Sequence, residues 1–218
     1  MPAITISRQY GSGEREIVDR VCELLGYRVF DKWVLAEIAA EVGLSKNEIV
    51  DFSEDNYKVK SLQARLGERL SAPARRSVAM PAVVVGSEQG VTLSVEQLDE
   101  QEAVTLVNTA ILAAYDLDFV VIVGRGGQVV LKDKPNVLHV RLEAPLETRI
   151  ARVQEEGKLT YQRAQQLIDQ RDEESAQYLE CYHKVRWDDP SLYHVILNTG
   201  KVGPEAAAQI IITAMLQI

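Results

Sequence analysis

The sequence predicts an α/β protein: a three-layer domain in which a parallel sheet is covered by helices on both faces. Three observations carry this expectation. Short strand-like runs alternate with helix-period segments along the chain, the order that builds a parallel sheet through helical crossovers. Phe119-Val120-Val121-Ile122-Val123 is apolar throughout, as a strand buried on both faces must be. The 218 residues are 46% hydrophobic and 26% charged, with 13 glycines and 7 prolines, the make-up of a globular chain long enough to bury a sizeable core.

The elements follow in order. Ile4-Thr5-Ile6-Ser7 reads as a short strand and Arg8-Gln9-Tyr10-Gly11-Ser12-Gly13 as a glycine-bearing loop. Ile17, Val21, Leu24 and Leu25 then recur at helical spacing, and Gly26 supplies the stop. Arg28-Val29-Phe30 is a second strand, and Asp31 is a plausible N-cap for the next helix. Ser45 with Glu48, and Ser94 with Gln97, are capping boxes. The second opens a long helix through Val107, Ile111 and Ala114. Between them, residues 57 to 90 are locally basic and interrupted by Pro73 and Pro81. After the apolar run come a strand over Asn136 to Leu142, a helix from Pro145 to about Glu156 and a polar helical stretch from Thr160 to about Tyr182. Tyr193 to Leu197 is the last strand, Asn198-Thr199-Gly200 a turn, and Pro204 the first residue of the last helix. No repeat of solenoid period is present. The polar stretches at about 31–115 and 154–189 read as insertions into a single domain spanning 1–218.

The formal charge of −8 argues against a partner that is a nucleic-acid polymer or an anionic membrane, since both need a basic surface. A local pocket for a small phosphate compound is compatible with it. The N-terminus lacks the basic and long apolar regions of a signal peptide, and no apolar run approaches a bilayer span, so a cytoplasmic protein is expected. Two cysteines, Cys22 and Cys181, make no disulfide framework and read as small buried residues. His139, His183 and His194 have no metal-ligand spacing with them.

Strand, glycine loop and helix start in succession form an anion site, because unpaired backbone N–H groups point outward there. The P-loop version, G-x-x-x-x-G-K-[ST], adds a lysine for the phosphates and a hydroxyl for magnesium. If Gly13 is its second glycine, Glu14 and Arg15 occupy the lysine and hydroxyl positions. A tight turn whose Glu14 and Glu16 favour the helix dipole is the plain alternative.

The opening Ile4-Thr5-Ile6-Ser7-Arg8-Gln9-Tyr10-Gly11-Ser12-Gly13 with Arg15-Glu16-Ile17 resembles that of the cytidylate kinase-like family. Val29-Phe30-Asp31-Lys32, Val121 to Gly127, Asn136 to Leu142, Ala144 to Glu147, Trp187 to Tyr193 and Leu197-Asn198-Thr199 agree in the expected order. The resemblance implies a P-loop kinase-like fold with a helical substrate-binding insertion and a lid. It implies ATP-dependent phosphoryl transfer to a nucleoside monophosphate or similar small acceptor, with ATP as donor and Mg2+. Gly11, Ser12, Gly13 and Arg15 would bind the donor phosphates, and Asp31 and Arg125 the acceptor. Arg15, Arg149 and Arg152 would serve the transfer, with Glu16 a candidate indirect magnesium ligand.

This sequence departs from the cytidylate kinase pattern at the missing lysine and hydroxyl, and at Gly126, where an aspartate follows the arginine in cytidylate kinases. A catalytically inactive nucleotide-binding sensor or interaction protein on the same fold is therefore the alternative. Arg125 has the plain reading of an ion-pair or solvated side chain, and Arg149 and Arg152 that of a helix surface paired with neighbouring glutamates.

Overall fold

The computed structural model describes residues 2–30 and 100–218. Asp31, both capping boxes, the basic stretch 57–90 and most of the 31–115 insertion lie outside these residues. Five strands form one sheet: β1 (Ala3–Arg8), β2 (Arg28–Phe30), β3 (Val120–Val123), β4 (Val137–Glu143) and β5 (Val195–Asn198). Their order is β2-β3-β1-β4-β5, and every pairing is parallel. The helices are α1 (Glu14–Leu25), α2 (Glu100–Asp116), the short α3 (Gly127–Val130), α4 (Leu146–Gly157), α5 (Tyr161–Tyr178) and α6 (Pro204–Met215).

Period-two alternation in the central strand divides the core. Ile4 and Ile6 of β1 face one side and pack with Ile17, Val18 and Val21 of α1 and with Ala207, Ala208 and Ile211 of α6. Ala3 faces the other side, with Val107, Ile111 and Ala114 of α2 and Leu131 just beyond α3. Thr5 and Ser7 share that second face and are also buried, so it turns from apolar to polar toward the C-terminal ends of the strands. The predicted parallel sheet with helices on both faces is therefore the observed architecture. Gly26 caps α1 in the left-handed region at φ 69°, and Pro204 stands at the N-terminus of α6, both where the residues required them.

The differences are local. Phe119 lies just outside β3, is 53% exposed and has φ 52°, so the buried strand begins at Val120. The helix expected to reach Tyr182 leaves regular α geometry after Tyr178 and widens into a π turn over Leu179–His183. That turn sets His183 against the chain after β3, where a Cβ on Gly126 would come 2.8 Å from His183 Nε2. Tyr178, Trp187 and Tyr193 are all core residues, so these aromatics close the C-terminal segment onto the sheet. Cys22 and Cys181 are only half-buried; burial still pushes the Cys22 thiol up to about 11, far from a reactive thiolate.

Candidate functional site

The loop after β1 lies at the C-terminal edge of the sheet, where connections lead toward opposite sides and ligands of open α/β sheets bind. It is built in two parts. Gln9 anchors the first: its N–H donates to Leu142 O at 3.0 Å, and its side-chain oxygen accepts from Ala144 N at 3.1 Å. Tyr10 N donates to Asp172 Oδ1 at 2.8 Å. The second part turns through two left-handed glycines, Gly11 at φ 77° and Gly13 at φ 78°, and runs into α1 without a side-chain cap. Both positions demand glycine for space as well as for φ. A Cβ on Gly11 would come 2.8 Å from Val153 Cγ2 and 3.1 Å from Arg149 O, and one on Gly13 would come 3.2 Å from Arg152 Nη1.

This geometry leaves donors unspent. Ser12 N donates to Gln9 O, but the N–H groups of Gly11, Gly13, Glu14, Arg15 and Glu16 reach no backbone acceptor among the described residues. They belong to the wall of a cavity of about 760 Å³, which is also lined by Arg152, Val153, Glu155, Glu156, Thr199 and Pro204. Ser12 Oγ is fully enclosed and has no partner among the described residues.

Two arginines of α4 back the loop. Arg149 donates to Asp172 Oδ2 at 2.5 Å and to Tyr10 O at 3.3 Å. Burial lifts the Asp172 carboxyl above its ordinary value, against the opposing pull of the Tyr10 N–H and the Arg149 guanidinium. Arg152 donates to Ser12 O and to Thr199. Thr199 is nearly absent from the surface at 4% exposure.

The structure thus brings Gly11, Ser12, Gly13, Arg15 and Arg152 to one cavity, with Arg149 directly behind the loop. Arg125 is not on that wall. It sits after β3, 3% exposed, with φ 60° between the left-handed Gly124 and Gly126. Asp31 lies outside the described residues. Sequence reasoning passed over Thr199 as a cavity residue, and Asp172 as the partner of Arg149. The one signal for the former was the turn Asn198-Thr199-Gly200 following the last strand.

The residues fit a phosphate group carried with a divalent cation. The glycine cradle and its unspent N–H groups suit phosphate oxygens, and the wall adds the carboxylates of Glu14, Glu16, Glu155 and Glu156. No group of three or more His, Cys, Asp or Glu among the described residues is arranged to hold a metal by itself. That donor set suits magnesium, which binds through one or two carboxylates plus phosphates and keeps several waters.

Comparison with known proteins agrees with the geometry. The sequence is 30% identical over 78 residues to the cytidylate kinase of Halobacterium salinarum, a match taking in 36% of this chain and 41% of that one. The chain therefore matches less than half the length of that relative. In structure it is similar to an uncharacterized protein from Eubacterium ventriosum, with a TM-score of 0.68 at 18% identity over the whole of both chains. It is also similar to a shikimate kinase from Bacteroides thetaiotaomicron, with a TM-score of 0.51 at 11% identity over 100% of this chain and 99% of that one. At such identities these likenesses speak for the fold, which is that of the P-loop kinases. No helix among the described residues is long and apolar enough to cross a membrane. Residues 3–201 match the sequence profile of the cytidylate kinase-like family, and with its glycine loop, parallel sheet and cavity at the strand ends, the chain belongs to that family.

Proposed function

We propose that this protein is an ATP-dependent phosphotransferase acting on a nucleoside monophosphate or a similar small phosphate acceptor. The observation that carries the reading is the set of unspent N–H groups of Gly11 and of Gly13 to Glu16 beside a cavity of about 760 Å³. Such preorganised donors stabilise the charge of transferring phosphates without reorganising during the reaction.

Gly11, Ser12 and Gly13 form the cradle, and Arg15, exposed on the same wall, supplies the charge that lysine supplies in other P-loops. Arg149 and Arg152 hold positive charge at the loop's flank while the phosphoryl group passes. Arg125 and Asp31 hold the acceptor. Glu16 would help to hold magnesium, which when bound would supply charge neutralisation for the phosphates.

A second reading rests on Glu14. Its carboxylate stands in the cavity wall at the lysine position, where it repels phosphate, and this favours a nucleotide-binding sensor without turnover. Coupled ADP-release assays across the nucleoside monophosphates decide between them. Turnover with one acceptor is expected; measurable nucleotide binding by calorimetry with no turnover at micromolar enzyme would replace the enzyme by the sensor.

A further inference from the structure

Three distant parts of the chain meet at one atom, the carbonyl oxygen of Ser12. Thr199 Oγ1 donates to it at 2.5 Å, and Arg152 Nη1 donates to it at 2.8 Å. Arg152 also donates to Thr199 Oγ1 at 3.1 Å and to Thr199 O at 2.9 Å. A carbonyl oxygen has two lone pairs, so these donors fill it. Thr199 is itself fixed, because its N–H donates to Glu143 O at 2.7 Å. The next residue presses against the start of α4, where a Cβ on Gly200 would come 2.5 Å from Pro145 Cδ.

The carbonyl of Ser12 and the N–H of Gly13 belong to one planar trans peptide and point in opposite directions. Holding the carbonyl therefore aims the N–H. A flip of this peptide turns ψ of Ser12 and φ of Gly13, and a glycine accepts φ of either sign, so without the two donors little opposes it. We propose that Thr199 is a positioning residue of the phosphate site: with Arg152 it locks the Ser12–Gly13 peptide so that the Gly13 N–H is set for an anion before one arrives. This rests on the reading of the loop as a phosphate site. Nothing in that reading requires Thr199, which reaches the loop only through the Ser12 carbonyl.

Thr199→Val keeps the shape and removes the hydroxyl, whereas Thr199→Ser keeps the hydroxyl. Tripolyphosphate with magnesium is the probe, titrated calorimetrically below the unfolding midpoint of each variant. Thr199→Val is expected to bind about tenfold more weakly, the loss of one well-placed hydrogen bond, with Thr199→Ser within about twofold of the unaltered chain. Unchanged affinity in Thr199→Val, or equal losses in both variants, would overturn the proposal. Relaxation-dispersion NMR at the Gly13 amide reads the lock without any ligand. Exchange broadening is expected in Thr199→Val alone, and its absence there overturns the lock. If the unaltered chain does not bind tripolyphosphate, the phosphate-site reading fails while the NMR arm still judges the peptide. Should Thr199→Val not fold, Arg152→Lys, which keeps the charge but not the paired bonds, is measured in the same way, with the same broadening expected and a quiet Gly13 amide counting against the lock.

Discussion

Arg15 lines the cavity without a hydrogen bond to any described residue, flanked on either side by the carboxylates of Glu14 and Glu16. Its guanidinium differs in this from that of Arg152, whose donors are committed to Ser12 and Thr199. If Arg15 has taken over the lysine's part, Arg15→Ala should weaken triphosphate binding by about 1.5–3 kcal/mol, the range for a charged hydrogen bond. Glu14→Lys should strengthen it by removing a repulsive charge, while slightly lowering stability, since a cation at a helix N-terminus is unfavourable. Calorimetric titration and thermal unfolding of both variants check the pair of outcomes. Equal affinity in Arg15→Ala would take this residue out of the site.

The loops and caps that join the elements are where local sequence speaks most directly. Gly26, Pro204 and the alternation in β1 are legible because the requirement and the residue sit at the same position. The π turn after α5 was not legible, because what it serves, His183 seated against Gly126, is a contact across the fold. Thr199 and Ser12 are 187 residues apart, and Arg149 and Asp172 meet only because α4 and α5 fold back on one another. No window along the chain holds either pair. Two left-handed glycines test how far surroundings add to backbone strain. A Cβ on Gly26, at φ 69°, would meet nothing within 4 Å, whereas one on Gly11, at φ 77°, would run into Val153 and the Arg149 carbonyl. Gly26→Ala should therefore cost about 1 kcal/mol, the left-handed penalty alone, and Gly11→Ala visibly more, together with loss of phosphate binding. Denaturant unfolding of the two variants, side by side, gives the comparison.

At the scale of the whole molecule, a buried polar layer on one face of the sheet ties stability to pH. Thr5 Oγ1 lies 2.8 Å from His139 Nδ1, the His139 N–H donates to His194 Nδ1 at 3.0 Å, and the two imidazoles stack with centroids 5.0 Å apart. Burial first, and the neighbouring His194 second, push His139 down from 6.5 to about 4; burial also lowers His183. The unfolded chain therefore takes up protons that the folded one refuses. Stability is full above about pH 6.5 and falls as pH drops toward 4, by about 3 kcal/mol for His139. Urea unfolding at pH 7.5 and pH 5 should show the loss, and His139→Asn should flatten it. The strand order has a consequence of another kind. β1 is central, yet Ala3 finds its partners only at Val120 and Val137, and the hydroxyl that holds Ser12 belongs to the turn after β5. Ribosomal synthesis therefore releases the phosphate loop 187 residues before its fastener. Long-range pairing of this sort folds slowly, and a nascent chain stopped before Thr199 carries the glycine loop without its lock. If Thr199 locks the loop as proposed, full-strength phosphate binding is a property the chain gains only once translation has passed β5.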